Sequence, residues 1–322
     1  MIAACAFLLL VLVSYFIAKP EPRCLDAQTR MNLGGSYARL ADGVVHYELS
    51  GPRDGRVVVL VHGGGLATLE AWAPLMDFED RRILRYDLYG QGLSDRPHAT
   101  YDLDLFDRQL DQLLARLGIS EPIDLVGHSM GGLIAATYAA RHPERIESLT
   151  LIAPAGIETR MHWTVKLAQI PIVGEYMFRV FGRQLAASCQ NEIKCLEFEG
   201  SRRAMLSHLR NIPFSDADVF ARVGELDFPV LALFGKRDRT VPLSASARLE
   251  RWIPHVEIHE LEQASHGLLE DHATEIGELV TVILSREDGE GSPNTQMLCS
   301  ERSFGVCAPQ DDDRCEYRKA AA

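Results

Sequence analysis

The chain has 322 residues, 47% of them hydrophobic, and a formal net charge of −12. That length holds one large α/β domain with an insertion, and the apolar share supplies its core. The acidic balance argues against a nucleic-acid partner, which needs a basic face, and the sequence has no GxxxxGK(S/T) phosphate loop, no Cys/His spacing of a zinc site and no internal repeat.

Ile2 to Ala18 (IAACAFLLLVLVSYFIA) carries no charge. At ~1.5 Å per residue it spans roughly 26 Å, just short of a hydrocarbon core of about 30 Å. It is longer than most signal-peptide cores, lacks a basic leader, and cleavage after Ala18 would place Phe16 where a small residue is required. Residues 1–18 are therefore expected to be an uncleaved signal-anchor, which makes the membrane a partner; a cleaved signal peptide, and a secreted protein, is the alternative, and a buried globular helix is disfavoured because the run is apolar on every face and precedes the fold. Lys19 and Arg23 would hold the following flank in the cytosol by the positive-inside rule, but Glu21 and Asp26 partly offset them. The cysteines point the other way. There are seven, and setting aside Cys5 in the apolar run leaves six: Cys24, Cys189, Cys195, Cys299, Cys307 and Cys315. Four of these lie in polar terminal segments, whereas free cysteine is normally buried. An even number in polar surroundings predicts disulfides and an oxidising compartment (periplasm, lumen or extracellular), with Cys189–Cys195 as a local bridge and Cys24 joined to a tail cysteine.

Residues 19–35 read as a polar linker. Tyr37–Leu40 and Val44–Leu49 read as an antiparallel hairpin turned at Asp42-Gly43. Arg56–Val61 (RVVVLV) is a continuous β-branched run, the pattern of a strand buried on both faces of a parallel sheet, and it leads into His62-Gly-Gly-Gly65. A helix around Leu69–Phe78 and a strand at Arg82–Tyr86 follow, then the glycine-punctuated loop Asp87–Ser94. Leu103, Phe106, Leu110, Leu113, Leu114 and Leu117 recur at helical spacing and mark a core-facing stripe. Ile123–Val126 reads as a short buried strand and Leu133–Arg141 as an Ala- and Leu-rich helix. Ser148–Ala153, Phe228–Phe234 and Val256–Leu261 are further strands, and Leu268–Leu284 a final helix. Strands alternating with helices imply a mostly parallel sheet covered on both faces. The tail from Ser285, with Gly289 to Pro293 and Asp311–Asp313, is polar and is expected to lack regular structure.

Between the strand ending at Val126 and the following helix lies Gly127-His128-Ser129-Met130-Gly131, the pattern GxSxG. A strand that turns at once into a helix strains the residue at the apex and requires neighbours without side chains, so that strand and helix can approach. The turn presents Ser129 Oγ above the sheet edge at a helix N-terminus, where negative charge is favoured. Serine is a poor nucleophile unless a base takes its proton and an acid orients that base. Asp238 follows the strand Phe228–Phe234 in Gly235-Lys-Arg-Asp-Arg-Thr-Val-Pro242, and His266 follows Val256–Leu261 in Ala264-Ser-His-Gly267. His255, His259 and His272 are candidates by composition only.

This set, in the order Ser, Asp, His, resembles the α/β-hydrolase fold family, and Gly-His-Ser-Met-Gly-Gly resembles its serine esterase and monoacylglycerol-lipase branches. The motifs cover about residues 37–284. The resemblance implies an α/β-hydrolase core over 36–156 and 226–285 and a helical cap over 157–225; by composition, 286–322 is a Cys-containing polar tail. It assigns Ser129 as nucleophile, His266 as base, Asp238 as its orienting acid, and the N–H groups of Met130 and Gly64 as the oxyanion hole. His62 is expected to brace its own loop. Serine at the elbow disfavours the dehalogenase and epoxide-hydrolase branches, which use aspartate there. Trp163, Leu167, Ile170, Ile172, Val173, Tyr176, Met177, Phe178 and Phe181 either pack the cap onto the core or line an acyl pocket. The expected activity is hydrolysis of small or lipid-like carboxylic esters, with no metal, no organic cofactor and no obligate protein partner. The alternatives are carbon–carbon bond hydrolysis or acyl transfer by the same triad, and a non-catalytic binding module on this fold.

Overall fold

In the computed structural model, which describes residues 2–18, 21–75, 80–187 and 195–284, the β-branched runs pair into one sheet. Its strands are β1 (Ser36–Arg39), β2 (Val44–Ser50), β3 (Val57–Val61), β4 (Arg82–Tyr86), β5 (Ile123–His128), β6 (Ile146–Ile152), β7 (Val230–Gly235) and β8 (Glu257–Leu261). They lie in the order β1-β2-β4-β3-β5-β6-β7-β8. β2 is antiparallel to both β1 and β4, and the pairs from β4 through β8 are parallel. The parallel register explains the composition: all five residues of β3 and all six of β7 are buried, because helices cover both faces.

The helices are α1 (Ile2–Ile17), α2 (Ala27–Leu33), α3 (Leu103–Leu117), α4 (Met130–Arg141), α5 (Trp163–Gln169), α6 (Val173–Ala187), α7 (Ser201–Asn211), α8 (Ala217–Val223), α9 (Ser244–Trp252), α10 (Leu268–Asp271) and α11 (Ala273–Leu284). The stripe on α3 is core as read: Phe106, Leu110, Leu113 and Leu114 are fully buried, each contributing about 1.5–3 kcal/mol. Asp102 caps that helix by accepting from Leu105 N at 3.0 Å, and Gly118, at φ +68°, ends it.

Some elements differ from the sequence reading. The segment expected to be a helix around Leu69–Phe78 is a 3₁₀ helix, Leu69–Leu75, which contains Pro74 and so lacks one of the N–H groups an α-helix would use. α4 starts at Met130, because the reversal after Ser129 places the poor helix formers Gly131 and Gly132 in its first turn. The final helix is divided at His272. The linker 19–35 contains α2, whose cap Asp26 accepts from Thr29 N at 2.8 Å.

The expected membrane anchor is overturned. α1 has 16 residues, about 24 Å of helix against a hydrocarbon core of about 30 Å, and among the described residues no helix is long and apolar enough to cross a membrane. The C-terminal turn of α1 instead joins α6: Ser14 Oγ and Tyr176 OH are 2.8 Å apart, and Arg179 donates to the Tyr15 carbonyl at 3.0 Å while lying over its ring. The expected placement, a domain anchored across a membrane with its cysteines in an oxidising compartment, therefore fails at the anchor. Cys24 is exposed and has no disulfide partner among the described residues. Cys189, the side chain of Cys195 and the whole tail lie outside the described residues, and both predicted bridges fall there.

The sheet meets α4 at an unusually close crossing. A Cβ built on Gly131 would lie 2.2 Å from the Val61 carbonyl oxygen and 2.4 Å from that of His62. Both obstacles are backbone and cannot swing aside, so Gly131→Ala is expected to lower unfolding free energy by about 3 kcal/mol or more in denaturant titration. A loss below about 1 kcal/mol would show that α4 and β3 separate freely.

Candidate active site

Ser129 sits at the apex between β5 and α4 with φ +54° and ψ −119°, a strained conformation for a residue with a Cβ. Backbone bonds hold it there. Its N–H donates to the Ile152 carbonyl at 2.9 Å, and its carbonyl accepts from Ala155 N at 2.9 Å and Gly132 N at 3.0 Å. Gly127 permits the turn, since a Cβ there would lie 2.3 Å from the Gly131 carbonyl oxygen.

The structure brings the three sequence-predicted side chains together. His266 Nε2 lies 3.0 Å from Ser129 Oγ, and its Nδ1 lies 2.7 Å from Asp238 Oδ2. The other carboxylate oxygen, Oδ1, accepts from Thr240 N at 2.7 Å and Val241 N at 2.9 Å. The Asp238 side chain is shut off from solvent, while that of His266 is 28% exposed. The carboxylate can only accept, so Nδ1 carries the hydrogen and Nε2 presents its lone pair to the serine hydroxyl. His255, His259 and His272 take no part in this set; His259 pairs with Glu257 and His272 with Glu275.

Met130 is the first residue of α4, so its N–H has no acceptor within the helix. Gly64 packs on it: a Cβ on Gly64 would lie 3.0 Å from Met130 Sδ and 3.3 Å from its Cβ. Both residues line the same cavity as Ser129. His62 braces this loop as expected. Its Nδ1 donates to the Gly63 carbonyl at 2.8 Å and its Nε2 accepts from Leu88 N at 3.0 Å, so one neutral tautomer satisfies both. Burial pushes its pKa down.

Sequence reasoning missed the groups behind that brace. Asp87 is buried and accepts from Leu69 N and Leu93 N, each at 2.8 Å, and from His46 Nδ1 at 2.8 Å. Burial alone would raise its pKa; the interactions with His46, together with His62 and the hydrogen bond from Leu93 N, outweigh that and hold it below the usual value. The signal was the loop Asp87–Ser94 itself. Gly92, at φ +49°, leaves the space the carboxylate fills, since a Cβ there would lie 2.0 Å from Asp87 Oδ2. His128, between Gly127 and Ser129, was also passed over. Its ring lies 5.3 Å from that of His266, and its Nε2 donates to the His266 carbonyl at 3.2 Å.

A cavity of about 590 Å³ opens on Ser129. Its walls come from the loop after β3, the loop after β6, α5, α7 and the loop after β7, and include Met161, Val165, Met205, His208, Leu209 and Phe214. The nine apolar residues singled out from the sequence do not line it. Trp163, Leu167, Ile170, Ile172, Val173 and Phe181 are exposed, and Phe178 is buried in a small cluster with Ala168, Met205 and Leu206. Among the described residues, no group of His, Cys, Asp and Glu is placed to hold a metal ion.

A family model described as "alpha/beta hydrolase fold" matches residues 56–191. A 2-hydroxymuconate semialdehyde hydrolase of Pseudomonas putida is 28% identical over 260 residues, covering 73% of this chain and 89% of the relative. Among solved structures, the enol-lactonase from Burkholderia xenovorans aligns with TM-score 0.62 at 25% identity, over 78% of this chain and all of that one. Haloalkane dehalogenase DbeA from Bradyrhizobium elkani aligns with TM-score 0.65 at 24% identity, over 77% of this chain and 97% of that one, a likeness of fold alone.

The buried histidines give a pH dependence of stability. Burial pushes His208 from 6.5 down to about 3 and moves His62 in the same direction. The unfolded chain therefore takes up protons near pH 6.5 that the folded protein refuses, so stability falls as pH falls below that value. Below pH 6.5 His208 is expected to contribute a slope approaching about 1.4 kcal/mol per pH unit, and His62 adds to it in the same direction. Denaturant titrations at pH 7.5, 6.5 and 5.5 measure it, and His208→Phe should flatten the curve by one such increment; an unchanged slope in that variant would show the ring is not held neutral.

Proposed function

We propose, on the match of residues 56–191 to the α/β-hydrolase fold family, that the chain is a serine hydrolase of carboxylic acyl compounds, esters foremost. The observation that carries this reading is the continuous hydrogen-bond path from Ser129 Oγ through His266 to Asp238, at 3.0 and 2.7 Å, at one end of an apolar cavity. In this reading Ser129 Oγ attacks the substrate carbonyl as its proton passes to His266 Nε2. Asp238, held by two backbone N–H groups, keeps the imidazole in the productive tautomer and stabilises the imidazolium. The N–H groups of Met130 and Gly64 receive the oxyanion. His266 returns the proton to the leaving alcohol, and a water activated at the same nitrogen cleaves the acyl-enzyme. The α/β core over 36–156 and 226–285 supplies this machinery, and the helical segment 157–225 serves as a cap over the substrate.

A second reading, carbon–carbon bond hydrolysis with the same groups, is favoured by one observation. A relative at 28% identity is a 2-hydroxymuconate semialdehyde hydrolase, whose named substrate carries no ester.

Ser129→Ala is expected to abolish labelling by a fluorophosphonate probe and to lower kcat by about four to six orders of magnitude, with Asp238→Asn lowering it by roughly four. Full labelling in the alanine variant would place the nucleophile elsewhere. A panel of p-nitrophenyl esters set against a vinylogous 1,5-diketone separates the two readings: esters are expected to have the higher kcat/KM, and the reverse order assigns the carbon–carbon reaction.

A further inference from the structure

The cavity on Ser129 is charged in only one sense. Its lining includes two arginines, Arg160 and Arg239, and no aspartate or glutamate. This is notable in a protein with 45 acidic against 33 basic residues. The two arginines are neighbours through the backbone. Arg160 N donates to the Thr240 carbonyl at 2.7 Å, which ties the loop after β6 to the residue following Arg239. Asp238 Oδ1 fixes that second loop by accepting from Thr240 N and Val241 N. Both side chains are therefore delivered to one rim by anchored backbone.

Their own charges are unevenly balanced. Arg160 donates to Glu158 Oε1 through Nη2 at 3.0 Å and Nε at 3.3 Å, while the other oxygen of that carboxylate takes Ser244 Oγ at 3.0 Å and Arg248 at 3.5 Å. Arg239 has no ion pair or hydrogen bond from its guanidinium among the described residues. The rest of the lining is mostly apolar, with Met130, Met161, Val165, Met205, Leu209 and Phe214 beside His162 and His208. A guanidinium at the edge of a low-dielectric cleft binds a carboxylate bidentately and focuses its field on the entrance, while the acidic remainder of the surface repels anions.

We propose that this cavity selects amphiphilic anions: acyl substrates that carry a carboxylate or like group on an apolar body, received by Arg239 and Arg160. The proposal rests on the serine-hydrolase reading for its chemistry, though not for its binding.

Two pairs of matched esters test it, one with the charge on the acyl side and one with it on the leaving side. They are mono-p-nitrophenyl glutarate against p-nitrophenyl valerate, and 4-(butyryloxy)benzoate against phenyl butyrate. In at least one pair the anionic ester should have the higher kcat/KM, by about tenfold at low salt, and the ratio should shrink as NaCl is raised past 0.1 M, where the screening length falls to about 10 Å. Arg239→Gln should lower the anionic-to-neutral ratio by about tenfold, and Arg160→Gln with Arg239→Gln should bring it to about one. A ratio near one in the wild type, or one that the substitutions leave unchanged, overturns the proposal. A second arm needs no turnover. Ser129→Ala protein is titrated calorimetrically with octanoate and with octanamide. Preference for octanoate that is lost with both arginines supports the subsite; equal binding of the two overturns it. Loss of neutral-ester turnover and of fluorophosphonate labelling in the wild type would count against the serine-hydrolase reading alone.

Discussion

The structure depends on how closely α4 can approach the ends of β3 and β5. Ser129 occupies a conformation that costs on the order of 1–3 kcal/mol, and it is held there by four backbone hydrogen bonds to its own N–H and carbonyl and by the absence of Cβ atoms at Gly127 and Gly131. The surrounding strands supply the opposing energy. Each fully buried valine or leucine of β3 contributes about 1.5–3 kcal/mol, so the sheet outweighs the strain of the turn several times over. The same approach brings Gly64 against Met130, and thereby the loop after β3 against the first turn of α4.

A second layer of polar groups makes that approach reproducible. His62 spans from its own loop to Leu88, and Asp87 gathers Leu69, Leu93 and His46 around one carboxylate. Every one of these bonds is buried, where an unmet donor would cost more than it does in water. The loop after β3, which lines the cavity, is thus fixed by bonds that contribute no atom to that lining. His128 plays a comparable part on the other side, where it joins the elbow to the backbone of His266.

The helices between β6 and β7 divide their residues in a way that composition concealed. Met205 and Leu209 on α7 face the cavity, while Trp163 and Leu167 on α5 and Ile172 just before α6 face outward. All are apolar, and a helix seven residues long such as α5 has too few turns for its pattern to declare a face. The same limit applies to α1, whose uniform apolarity fits a membrane span as well as it fits a short helix docked through Ser14 and Tyr15; its 16 residues decide between the two.

The strands, the stripe on α3, the elbow and the candidacy of Ser129, Asp238 and His266 were all legible in the chain, because each is a local pattern: a β-branched run, a helical period, a glycine on either side of a turn, a polar residue just past a strand. Convergence was not local. Residues 129, 238 and 266 meet only because β5, β6, β7 and β8 are parallel neighbours whose ends share one edge. The same geometry alone set Asp87 beneath the loop of His62, and Arg160 beside Arg239, pairs whose members are separated by tens of residues. Sequence reports what each segment prefers; which side chains share a space depends on distances between segments, and those exist only after the sheet has formed.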